Sequence, residues 1–207
     1  MYRRLLFISA VITLCSTLNA QSVYFKEGQR GLTATLSRSN PDFAFDNVYT
    51  TSVGYTLKGR LDIGIIYSTF KESKQNYGGN GGVNGYWSYR NELDIITPTI
   101  NYLIVKSPGG TNIGAGIGYN LVLNYAKVND FIFNANLSQR IGKIDKVNIL
   151  PHYSLSLSGS STASSLGASL VFPGKRYFVF TPSLVVSEGD SYFSLDLAYS
   201  LWVRDKK

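Results

Sequence analysis

One histidine, one cysteine and one methionine in 207 residues leave little material for side-chain chemistry. Protein metal sites draw on clustered His, Cys, Asp or Glu. With His152 alone, Cys15 alone and the acids scattered, no metal site can be assembled from the sequence. Cofactor signals are missing too. "GGNGG" at 78–82 has no strand–loop–helix setting, so it carries no nucleotide-binding meaning. Charge is sparse: 16% of residues are charged, against about a quarter or more on an ordinary soluble surface. The apolar period of 3.6 residues is absent after residue 20, which excludes a helical domain.

The one apolar run near the start, Leu5 to Ser16, falls short of the about 20 residues a membrane helix needs. Arg3 and Arg4 precede it, and Leu18-Asn19-Ala20 follows as a cleavage site before Gln21. This is the layout of a secretory signal over residues 1–20, which leaves 21–207 as one domain. Cleavage there would remove two arginines and no acid, so the formal charge falls from +7 to +5. It would also remove Cys15, the only cysteine, leaving an exported domain without disulfides or thiol chemistry. The remaining basic residues gather at turns and in the final "RDKK" instead of along one element. That distribution argues against nucleic acid and for anionic lipid or lipopolysaccharide as the partner surface.

What the chain has in abundance is period-2 alternation, the mark of strands. Ten segments show it, at about 31–38, 48–57, 60–70, 91–104, 111–123, 131–140, 146–158, 164–172, 176–186 and 191–203. In the last, Phe193, Leu195, Leu197, Tyr199, Leu201 and Val203 oppose Tyr192, Ser194, Asp196, Ala198, Ser200 and Trp202. Connection lengths give a second signal. "LKGR" (57–60), "KSPGG" (106–110), "IGKID" (141–145) and "FPGKR" (172–176) are tight and alternate with other, mostly longer connections. All the tight turns therefore fall at one end of an antiparallel meander, and an even strand number brings both termini to that end.

The polar faces are Ser, Thr, Asn, Gly and Tyr, with few charges in mid-strand. Apolar residues outside and small polar residues inside describe a membrane barrel, whose closure satisfies every strand edge. Over residues 31–203 the chain resembles the small bacterial outer-membrane β-barrel proteins. The expected fold is all-β, a closed antiparallel up-and-down transmembrane barrel of ten strands, with eight as the alternative. The resemblance implies an integral outer-membrane location, both termini in the periplasm and the longer loops outside the cell.

Two segments bear on function. In the loop "KESKQNYGGNGGVNGYWSYR" (71–90), Tyr77, Tyr86, Trp87 and Tyr89 could contact surface partners, or could anchor a strand at the membrane interface. In "ILPHYSLSLS" (149–158), His152 and Ser154 share a face, the spacing seen in some outer-membrane lipid hydrolases. Catalysis needs a third group to orient the imidazole, and the strand at 164–172 carries no acid or amide. Parity also turns the pair toward the lumen. The reading is therefore a non-enzymatic barrel with a structural or protein-interaction role, an accessory subunit of an envelope assembly being one form of it. A narrow channel and a lipid A or phospholipid deacylase using His152 and Ser154 are the alternatives. No metal and no cofactor are expected.

Overall fold

The computed structural model describes residues 21–40, 47–71, 92–123, 129–159, 161–187 and 190–204. Ten strands close into one ring: β1 (Arg30–Ser39), β2 (Asn47–Leu57), β3 (Leu61–Lys71), β4 (Glu92–Lys106), β5 (Thr111–Val122), β6 (Asp130–Gln139), β7 (Asn148–Ser158), β8 (Ser161–Phe172), β9 (Phe178–Ser187) and β10 (Asp190–Arg204). Each pairs antiparallel with its sequence neighbours, and β1 pairs with β10, so no edge is left open. All ten expected strands are present. The largest boundary difference is at β8, which starts at Ser161 and not at 164. Arg30 stands opposite Arg204 in the register, so both ends of the barrel domain lie at the tight-turn end.

Burial follows the alternation. Along β7, Asn148, Leu150, His152, Ser154, Ser156 and Ser158 are buried, while the residues between them are exposed or half-buried. The buried set is mostly polar: Ser154 Oγ lies 2.6 Å from Ser165 Oγ, and Ser156 Oγ donates to Asn134 Oδ1 at 3.0 Å. The exposed set is apolar: Leu36 is 61%, Ile65 58% and Leu166 64% exposed. A surface this apolar around a polar interior is the inverse of a water-soluble protein and suits a bilayer. Arg38 lies over Tyr49 (5.8 Å) toward the long-loop end, and Arg176 lies over Tyr199 (5.9 Å) toward the tight-turn end. Such pairs put guanidinium heads at the two borders of the apolar belt, where the charge reaches water.

The interior is less uniform than the sequence suggests. Small polar side chains fill its middle, but Phe70, Ile95, Ile132 and Val185 point inward nearer the long loops and are fully buried.

Two bulges near the tight turns break the alternation. One shifts the β1–β10 register between Leu32 and Thr33, so that Leu32 faces Trp202 and Thr33 faces Ser200. Strict parity puts Trp202 on the lumenal face. Instead it is 42% exposed, stacked on Tyr55 (6.5 Å) with Arg30 above it (6.0 Å), because Leu201 is the extra residue and Val203 turns inward. The other bulge falls between Leu103 and Val105 of β4. Ile104 and Val105 both face out, and Lys106 turns into the lumen.

Candidate functional site: a plugged mouth

The tight turns make a low, even rim, and the chain just ahead of β1 folds inside it. Gln21–Val23 form a single 3-10 turn, and Val23, Tyr24 and Phe25 are all buried. They pack with Leu103, Leu150, Val171, Tyr177, Val179 and Ala198 as the apolar cluster at this end. Phe25 is fully buried, its ring 5.5 Å from that of Tyr177, and any side chain at Gly31 would strike it. Gly59, at φ +63° in the β2–β3 turn, is similarly covered by the Lys26 carbonyl. Burying apolar side chains of this size contributes about 1.5–3 kcal/mol each, so the segment is a seated plug and not a loose tail.

Polar contacts bolt it in place. Lys106 Nζ donates to the carbonyls of Ser22 (2.8 Å), Phe25 (2.6 Å) and Gly59 (2.7 Å), using all three of its protons. Arg140, just past β6, donates through Nη2 to the Val23 carbonyl and through Nη1 to Asn148 Oδ1 at 3.1 Å. Burial lowers the Arg140 pKa from its ordinary value, and the nearby Tyr177 and Tyr24 partly offset this. Tyr24 OH lies 3.3 Å from Ser169 Oγ, and burial raises its pKa from the ordinary value. Tyr177 OH donates to Gln29 Oε1 (3.1 Å), and the Ser22 backbone N–H donates to Asp62 Oδ2 (2.9 Å). At the rim, Arg60 pairs with Glu27 at 2.9 Å and Lys26 with Asp145 at 3.8 Å, both exposed pairs of small energetic weight.

His152 and Ser154 both face the lumen, 6% and 4% exposed. Within that buried setting they do not hydrogen-bond each other. His152 Nδ1 lies 3.3 Å from the Leu150 carbonyl, its Nε2 has no partner, and Ser154 Oγ is taken by Ser165. Gly167 stands opposite His152 with no side chain to offer the ring. Asp62 sits in the plugged mouth, whereas Asp196 lies deeper and accepts from Ser37 Oγ. Among the described residues there is no group of three metal-ligating side chains. Tyr77, Tyr86, Trp87 and Tyr89 lie outside the described residues.

The plug itself was not foreseen in the sequence. Its only signal is "SVYF" at 22–25, an apolar patch too short to show a period, standing before the first strand.

No protein-family model and no curated protein sequence matches the chain. Solved structures do. The β domain of the Bordetella autotransporter BrkA is 11% identical, with 83% of this chain and 98% of that one covered, at a TM-score of 0.51. The fold is that of an outer-membrane β-barrel. Two more distant barrels also match. The translocator domain of the autotransporter NalP from Neisseria meningitidis is 9% identical over 91% of each chain (TM-score 0.45). Ail, the attachment invasion locus protein of Yersinia pestis, is 10% identical over 86% of this chain and 100% of that one (TM-score 0.32). The outer-membrane β-barrel fold is shared at 11% identity, and no subfamily is marked.

Proposed function

We propose that the protein is an integral outer-membrane barrel without an open conduit, with a structural or interaction role at the cell envelope. Both termini are on the periplasmic side, and anionic lipid or lipopolysaccharide and other envelope proteins are the partners. The observation that carries this reading is the seated segment Gln21–Gln29, which fills the mouth at the tight-turn end with Val23, Tyr24 and Phe25. A small barrel already has an interior largely occupied by side chains, and the plug closes what remains at that end. Reconstituted in planar bilayers, the protein is expected to give no unitary conductance; stable single-channel steps would establish the channel reading instead. Recovery in a stable complex after mild-detergent extraction supports the interaction role, and a lone monomer counts against it.

The hydrolase reading fares less well on geometry. A base that makes no hydrogen bond to its nucleophile, whose Nε2 is unpartnered and which faces the lumen, is neither oriented for proton transfer nor turned toward an acyl ester in the lipid. The unmutated protein is expected to release no fatty acid from phospholipid or lipid A vesicles. Release that disappears in His152→Ala would reinstate that reading.

A further inference from the structure

The plugged mouth holds a buried carboxylate that touches no cation among the described residues. Asp62 is 4% exposed; it accepts from Thr56 Oγ1 at 2.6 Å and from the Ser22 backbone N–H at 2.9 Å. It belongs to neither of the two ion pairs among the described residues. Lys106, on the neighbouring strand β4, directs its three protons at carbonyl oxygens. Lys106 is near enough to act on Asp62 electrostatically but does not touch it, so the buried carboxylate still lacks a cation in contact.

Two amide oxygens near this end of the barrel are also unmet, one over Gly54 and the other over Gly116. Gln21 Oε1 and Asn101 Oδ1 are buried and have no hydrogen-bond partner. The residues Gln21, Asp62 and Asn101 line a cavity of about 20 Å³, bounded also by Gly54, Gly64 and Thr99, with Gln21 Oε1 on its Gly54 side. That volume suits a group the size of one water molecule. A carboxylate with an unmet amide oxygen in the same cavity suits a small N–H-donating cation and fits poorly to an anion or an apolar ligand. Consecutive residues are about 3.8 Å apart, so the nitrogen of Gln21 is one step from the N–H that already touches Asp62.

We infer that this cavity receives the chain's own α-ammonium group, generated at Gln21 when an export peptidase hydrolyses the Ala20–Gln21 bond. One water is consumed, Ala20 keeps the new carboxylate, and Gln21 keeps the amine, which is protonated at neutral pH. The inference rests on reading residues 1–20 as a secretory signal, and it makes processing and plugging one event: the cut creates the charge that completes the seat. Asp62 is the counter-ion, while Gln21 Oε1 takes one of the remaining protons.

Two measurements test it separately. N-terminal sequencing and intact mass of the protein from outer membranes are expected to show a chain beginning at Gln21 with a free amine. A different start overturns the processing step. Loss of ammonia, from attack of the Gln21 amine on its own side-chain carbonyl carbon, would leave a neutral lactam and overturn the charge. The second measurement uses Val23→Cys, since the processed chain has no other cysteine. Labelling by a polar maleimide in detergent reports how often the plug opens. Asp62→Asn is expected to speed labelling at least tenfold, with Asp62→Glu nearer the parent rate. A parent-like rate in Asp62→Asn, given the correct N-terminus, overturns the pairing alone. If Asp62→Asn does not fold, a glycine inserted between Ala20 and Gln21 moves the ammonium by one residue and leaves the barrel wall intact. It should raise labelling similarly, and an unchanged rate overturns the pairing as well.

Discussion

Replacing Lys106 by methionine is expected to unseat the N-terminal segment. The ammonium makes two hydrogen bonds to that segment, at the Ser22 and Phe25 carbonyls, and a third to Gly59 in the β2–β3 turn. Hydrogen bonds from a charged donor contribute about 1.5–3 kcal/mol each, so the two to the segment hold it by roughly 3–6 kcal/mol. Methionine fills similar space but donates nothing, leaving those carbonyls unsatisfied in a buried place. Since about 1.4 kcal/mol is a factor of ten, the open population should rise on the order of a hundredfold or more. The maleimide rate at a Val23→Cys reporter reads that population when opening is fast compared with labelling. An unchanged rate would mean that apolar packing of Val23, Tyr24 and Phe25 alone seats the plug.

Leu166→Arg is the second large effect, and it acts on the opposite face of the wall. Leu166 is in the middle of β8, 64% exposed and paired across the wall with Tyr153 and Leu184. On a soluble protein such a surface change would fall within about 0.5 kcal/mol. At the bilayer midplane an arginine costs about 2–4 kcal/mol, falling to about 0–1 near the interfaces. Val147 is 59% exposed beside the β6–β7 turn, so Val147→Arg serves as the shallow control. Urea titration in lipid vesicles should therefore give a large loss for Leu166→Arg and a small one for Val147→Arg. Equal, small losses at both positions would contradict a lipid-facing wall.

The barrel was legible because period 2 is a property of the backbone. Every second residue of β6 and β7 must face lipid, so Phe131, Phe133, Tyr153 and Leu157 announce the wall without knowledge of any neighbour. Turn chemistry did the rest: Lys58 and Gly59 both take positive φ, as a type I′ turn closed by the Arg60 N–H on the Leu57 carbonyl requires. The plug obeys no such period. Val23, Tyr24 and Phe25 are buried by residues as distant as Tyr177 and Ala198, and pairing across that separation leaves no trace in local pattern. Lys106 was equally opaque, because it reads as an ordinary turn-flanking cation until the register of β4 against β5 is known. His152 reads correctly as lumenal by parity, whereas Trp202 does not, since one extra residue reverses every face that follows it.

That reversal behaves like a frameshift within a two-letter reading frame. Up to Leu103, β4 writes lipid and lumen alternately; the extra residue at Ile104–Val105 shifts the frame, and the next letter, Lys106, is written inside. The same slip near Leu201 writes Trp202 outside and Val203 inside. Inserting one residue after Val105 would give the newcomer the inward place and turn the ammonium toward the bilayer border. The plug would lose its main bolt without any change to a residue that touches it.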